Sequence, residues 1–154
     1  MDLRHRNPSG TVNDGNEHWR TRGVRRMTER TKLTVLLAED HADSREMLAV
    51  MLEMDGYRVL RAADGVEALG LARANNPDLV ITDVNMPLMN GIDLIRTLRA
   101  SENGLASVPI VAISALGSSC CLDAVDAGAN EAIAKPLGYD QIHEVVSRFL
   151  LGMR

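Results

Sequence analysis

Three carboxylates, a hydroxyl and an ammonium stand out in this sequence because each directly follows a short apolar run. Glu39 and Asp40 close the run Leu33–Ala38, Asp83 closes Leu79–Thr82, Ser114 closes Val108–Ile113, and Lys135 follows Glu131–Ala134. Carboxylates brought together repel one another, so a cluster of three is stable only beside a cation. Mg²⁺ suits such a set, because it takes oxygen ligands, keeps several waters and completes its shell with phosphate oxygens. A carboxylate can also act as a nucleophile and form an aspartyl phosphate. Phosphoryl transfer asks a protein for positioning and charge neutralisation more than for proton chemistry. Lys135 can pair with a phosphoryl oxygen as a point charge, and the Ser114 hydroxyl can donate to another. These residue types fit reversible phosphorylation of a carboxylate, provided that the fold brings them together.

The pattern between these residues predicts such a fold. Leu33–Ala38 is a continuous apolar run ending in acids, as in a strand buried on both faces. Ser44 to Asp55 carries Met47, Leu48, Met51 and Leu52 at helical spacing and stops at Gly56, with His41 placed to begin the helix. Tyr57–Ala62 reads as a second strand, its tyrosine packing at an edge. Asp64 then caps a short Ala/Leu helix over Gly65–Asn75, which Asn76-Pro77 ends because the proline ring forbids continuation. After the third strand, a loop with Pro87 and the turn signal Asn90-Gly91 leads to Ile92, Ile95 and Leu98 on one helical face. A helix over roughly 117–127 follows the fourth strand, and a short fifth strand precedes an amphipathic final helix bearing Ile142, Val145, Val146, Phe149 and Leu150. Five strands, each followed by a helix, demand a parallel sheet covered on both faces by right-handed crossovers. In such sheets a site forms outside the carboxyl ends of the strands, at the switch point of the strand order. That rim is where the five chemical residues are expected.

Composition narrows the function classes. The 154 residues are 45% hydrophobic but only 3% aromatic, so the core of a single domain must be aliphatic. The net charge of −4 hides an asymmetry: residues 1–32 hold eight Lys or Arg against four acids, and the remainder nine against seventeen. An acidic body argues against nucleic acid as the main partner. Residues 1–31 are polar, with Pro8, Gly10, Gly15 and Gly23, and are expected to form a flexible basic N-terminal extension to a domain over 32–154. A natural start at Met27 is a further expectation that N-terminal sequencing would settle. Cys120 and Cys121 are adjacent, a spacing that disfavours a disulfide between them, and no Cys/His cluster suggests zinc. With neither an apolar leader nor a window of membrane-spanning length, a cytoplasmic location is expected.

Glu39-Asp40, the run Asp83-Val-Asn-Met-Pro-Leu-Met-Asn-Gly91, Ser114-Ala115 and Lys135-Pro136, in that order and each at a strand end, resemble the receiver domain of bacterial two-component response regulators. The likeness is to the stand-alone, chemotaxis-type form and runs from about Leu33 to Leu151. It implies an α/β fold: a flavodoxin-like, doubly wound five-stranded parallel sheet of order 2-1-3-4-5 with five helices. It also implies Asp83 as the phosphoacceptor, Asp40 as a direct Mg²⁺ ligand, Glu39 reaching the ion mainly through water, and Asn85 offering its backbone carbonyl. Ser114 and Lys135 would hold the phosphoryl group, and Lys135-Pro136 would be a cis bond, which costs little before proline. The implied partners are a sensor histidine kinase or histidine phosphotransfer protein and a downstream protein target, with a homodimer as one further form. Such a chain is a signalling phosphoacceptor that assists its own phosphorylation and dephosphorylation, and not an enzyme in the usual sense.

The sequence departs from that pattern at Ala132. Receivers usually place an aromatic three residues before the lysine, and alanine has no rotamer to change. Readout is then expected through the loop after the fourth strand or the helix beyond it. Ser114 keeps the hydroxyl where threonine is commoner, and Asn85 and Leu116 stand where residues tune the phosphoryl lifetime. The last helix is expected to end at Leu151 with no output domain after it, so phosphorylation should act by altered protein–protein binding or by phosphorelay transfer. The alternative is a phosphorylation-independent interaction module, a pseudo-receiver, which would have no reason to retain a metal. A DNA-binding role for the tail would instead show steep salt dependence.

Overall fold

In the computed structural model, residues 32–115 and 118–152 are described, so the expected extension over 1–31 and the position of Leu116 lie outside the described residues. Five strands form one parallel sheet: β1 (Thr34–Ala38), β2 (Arg58–Ala62), β3 (Leu79–Asp83), β4 (Ile110–Ser114) and β5 (Glu131–Ala134). Their order is β2-β1-β3-β4-β5, as expected, with the reversal of winding between β1 and β3. The connecting helices are α1 (Ala42–Met54), α2 (Gly65–Asn75), α3 (Gly91–Arg99), α4 (Ser118–Ala127) and α5 (Tyr139–Leu151). This is the doubly wound, flavodoxin-like arrangement.

The three inner strands, β1, β3 and β4, read as near-continuous apolar runs because both of their faces are covered. Alternate residues divide between two cores. Leu36, Ala38, Val80, Ile110 and Ala112 face α2, α3 and α4, where Ala68, Leu69, Leu94, Ile95, Leu98 and Ala124 pack on them. Val35, Leu37, Leu79, Ile81, Val111, Ile113 and Ile133 face α1 and α5, meeting Leu48, Ala49, Leu52, Ile142, Val145 and Val146. Tyr57, directly before the edge strand β2, is buried in this second core, 6% exposed.

Local chemistry sets the element ends. His41 caps α1 with Nδ1 accepting from the Ser44 N–H at 3.3 Å, so the helix begins at Ala42, two residues before the expected start at Ser44. Asp64 caps α2 by accepting from the Glu67 N–H at 2.8 Å. Asn76, at φ 47, closes it in the left-handed conformation that asparagine tolerates. The strand expected from Val108 starts at Ile110 instead: a 3-10 turn over Gly104–Ser107 captures the Val108 N–H, which donates to the Leu105 carbonyl at 3.3 Å. The Lys135-Pro136 peptide is cis. Among the described residues no helix is long and apolar enough to cross a membrane.

Candidate functional site

Register carries the polar residues to a common rim. Asp83 is the last residue of β3, paired with Ile113, and Ser114 ends β4, paired with Ala134. Glu39 and Asp40 follow β1 directly, and Lys135 follows β5. The Lys135 N–H donates to the Ser114 carbonyl at 2.9 Å, so the sheet ladder continues one step into the site. On the other side, the Glu39 N–H donates to the Ala62 carbonyl of β2 at 3.0 Å.

At the centre, one ammonium bridges two buried carboxylates. Lys135 Nζ donates to Asp83 Oδ2 at 2.8 Å and to Glu39 Oε1 and Oε2 at 3.1 and 3.2 Å. Glu39 and Asp83 are 2% and 6% exposed, whereas Asp40 lies open to solvent. Carboxylate oxygens of Glu39, Asp40 and Asp83, one from each, all lie within 4.8 Å of one another. The Asn85 N–H donates to Asp83 Oδ1 at 3.1 Å, so both oxygens of the Asp83 carboxylate are held. Ser114, 1% exposed, sits at the strand end between Asp83 and Lys135. The structure thus places Glu39, Asp40, Asp83, Asn85, Ser114 and Lys135 on one rim.

The electrostatics follow from this crowding. Burial, then the hydrogen bond and negative charge of Asp83, push the Glu39 carboxyl up to about 7, although Lys135 pulls the other way. For Lys135, burial opposes the charged form, but its hydrogen bonds and ion pairs with Asp83 and Glu39 outweigh it and hold its pKa above the usual lysine value. A pair of carboxylates sharing one ammonium still lacks positive charge, and a divalent cation is the natural supplement. Beside Asp40, an open hollow of ≈ 540 Å³ is lined by Asn85, Met86, Pro87 and Asn90, giving a small charged group access to the acids.

The loop from Asp83 to α3 is pinned at both ends. The Gly91 N–H donates to the Val84 carbonyl at 2.8 Å, and a Cβ on Gly91 would lie 2.1 Å from the Asp83 carbonyl oxygen. The Gly65 N–H donates to the Met89 carbonyl at 3.1 Å. Between these anchors Leu88 has φ 65 and is 83% exposed. Ala132 is half-buried and, with Ala134, meets Cys121, Leu122 and Val125 of α4 around an open apolar hollow of ≈ 490 Å³. Cys120 and Cys121 are free thiols.

Sequence reasoning did not single out Arg45. Its guanidinium donates from Nη1 to the Glu39 carbonyl at 2.9 Å and to the Asp40 carbonyl at 3.5 Å. An arginine in the first turn of a helix that follows an acidic pair was the one available signal, and it names no partner.

Residues 35–147 match the model of the response regulator receiver domain. The polar-differentiation response regulator DivK of Brucella ovis is 29% identical over 118 residues, which cover 76% of this chain and 95% of that protein. The transcriptional regulatory protein PrrA of Mycobacterium bovis is 36% identical over 107 residues, covering 69% of this chain and 45% of that protein. Among solved structures, the chemotaxis response regulator CheY4 of Vibrio cholerae superposes with a TM-score of 0.73 at 30% identity, over 78% of this chain and 100% of that one. The receiver domain of the sensor histidine kinase PA1611 from Pseudomonas aeruginosa, solved with a magnesium ion coordinated in its active site cleft, also gives 0.73 at 30% identity, over 79% and 99%.

Proposed function

This chain belongs to the response regulator receiver domain family, and from that premise we propose that Asp83 accepts a phosphoryl group, with Mg²⁺, from the phosphohistidine of a sensor kinase or phosphotransfer protein. The observation that carries this reading is the cluster itself. Three carboxylates have ligand oxygens within 4.8 Å, and an ammonium lies 2.8 Å from the acceptor. The donor set fits Mg²⁺, being all oxygen, net negative even after Lys135 is counted, and open to water on the Asp40 side. Glu39, Asp40, Asp83 and the backbone carbonyl of Asn85 would hold the ion, which when bound neutralises charge on the phosphoryl oxygens.

The chain's own groups do the rest. The Asn85 N–H and Lys135 fix the Asp83 carboxylate before the donor arrives, so little rearrangement is needed at the moment of transfer. A carboxylate oxygen of Asp83 forms the new O–P bond in line as the P–N bond to the donor imidazole breaks. Lys135 and the Ser114 hydroxyl then face the phosphoryl oxygens. Water later attacks phosphorus and returns Asp83 to the carboxylate. The output is altered protein–protein binding or onward transfer in a phosphorelay, in a cytoplasmic setting.

The test is intact mass after incubation with acetyl phosphate and Mg²⁺. A single phosphoryl adduct, lost in Asp83→Asn and without Mg²⁺, is expected. One observation favours a second reading, that of a binding module that works without phosphorylation: Ala132 leaves an open apolar hollow against α4. Absence of any adduct and of any Mg²⁺-induced thermal shift would decide for that module.

A further inference from the structure

Neighbouring residues Glu39 and Asp40 face opposite environments: Glu39 is 2% exposed beneath Lys135, and Asp40 opens to solvent beside the hollow. The loop that carries them must resist the mutual repulsion of three carboxylates that each place an oxygen within 4.8 Å of the others. Its backbone is tied at two points. The Glu39 N–H is taken by the sheet, donating to the Ala62 carbonyl at 3.0 Å, while the Glu39 carbonyl is taken by Arg45 Nη1 at 2.9 Å. The same Nη1 lies 3.5 Å from the Asp40 carbonyl, so one planar cation spans both acidic residues through their main chain. Arg45 is itself fixed in the first turn of α1, its N–H donating to the His41 carbonyl at 2.9 Å, and it is half-buried.

We infer that Arg45 is a positioning residue for the acidic pair, holding the loop between β1 and α1 so that Glu39 points inward and Asp40 outward, and thereby setting the affinity of the site for Mg²⁺. This rests on the reading of the site as a Mg²⁺-dependent phosphoacceptor. Arg45 touches neither the ion nor the phosphoryl group; it acts through the carbonyls that orient the ligands. A guanidinium is suited to this because its donors form a rigid fork, whereas an ammonium is a single mobile point. Partners that orient metal ligands from behind contribute about 10- to 100-fold in affinity. Since Arg45 holds main chain and not a ligand side chain, the lower end of that range is expected.

The experiment is calorimetric titration of the full chain and of Arg45→Ala and Arg45→Lys with MgCl2. It is run beside thermal melting in EDTA and the Mg²⁺ dependence of the acetyl phosphate adduct rate. Arg45→Ala should bind Mg²⁺ about tenfold more weakly, yet approach the wild-type adduct rate once Mg²⁺ saturates. Arg45→Lys should recover part of the affinity, and should still melt cooperatively if the alanine variant does not fold. Wild-type affinity in a folded Arg45→Ala, or a lowered rate at saturating Mg²⁺ with unchanged affinity, would overturn the assignment. If the wild type itself takes up no Mg²⁺, the reading of the site falls and this inference falls with it. Tight wild-type uptake with undiminished uptake by the variant removes only the role of Arg45.

Discussion

Lys135 holds the same carboxylates, Asp83 and Glu39, that the proposed Mg²⁺ would use, and this gives the residue scale its sharpest expectation. Lys135→Ala removes the ammonium that bridges Asp83 and Glu39. Phosphoryl incorporation from acetyl phosphate should fall about a hundredfold or more, as when one preorganised group facing a developing charge is deleted. Mg²⁺ should nevertheless bind at least as tightly as in the wild type, and paired rate and calorimetric measurements check both outcomes. Glu39 supplies a pH dependence. With its folded pKa pushed up from the ordinary 4.5 to about 7 by burial and Asp83, it holds a proton in the folded chain that the unfolded chain has already released. The folded state therefore binds more protons between those values, and stability falls as pH rises through that window. In EDTA, the melting temperature should decline from pH 5 to pH 7, Glu39→Gln should flatten that decline, and Mg²⁺ should stabilise most at the alkaline end. The identities of Glu39, Asp40, Asp83, Ser114 and Lys135 were legible because each follows an apolar run. That one ammonium spans Glu39 and Asp83 was not, since the contact joins residues 96 and 52 positions apart.

At the element scale, the start of α3 fixes the end of β3. Gly91 has no room for a Cβ, which would lie 2.1 Å from the Asp83 carbonyl oxygen and 2.9 Å from Val84 Cα. Gly91→Ala must move main chain at Asp83, so it should cost about 3 kcal/mol in a urea titration, the upper end of ordinary overpacking, and should abolish the proposed adduct formation. Asp64→Ala is the contrasting case. It removes only the α2 cap to the Glu67 N–H, should cost about 1 kcal/mol, and should leave the adduct rate unchanged. Caps such as Asp64 and the stop at Asn76-Pro77 were readable because their chemistry is local. The β4 boundary was misplaced by two residues because Val108 looks like strand to any apolar pattern. Only the turn from Leu105, itself buried in the core, shows that its N–H is used elsewhere.

For the whole molecule, stability rests on the two aliphatic layers on either side of the sheet. Leu98 is fully buried in the α3 layer, so Leu98→Ala should lose about 2–5 kcal/mol in chemical unfolding, and the acetyl phosphate adduct expected on Asp83 should stay on that residue. A second link outside the site ties the other layer together. Asp55, the residue that caps the end of α1, accepts from Tyr139 Oη at 2.5 Å and pairs with His143 Nδ1 at 2.7 Å, both on α5. Burial would raise the Asp55 carboxyl, but these two partners outweigh it and hold it below the usual aspartate range. The sequence by itself determined the alternation of strands and helices, the two-faced sheet and the rim of chemical residues. Those follow from burial periodicity, turn residues and a chirality rule, all of which act over a few neighbouring positions or on every βαβ unit alike. Tertiary structure alone decided that Tyr57 lies in the core, that Arg45 holds the Glu39 carbonyl, and that Asp55 reaches Tyr139 and His143. These contacts depend on how far apart the packed elements sit and on where long side chains end, and no local pattern encodes those distances.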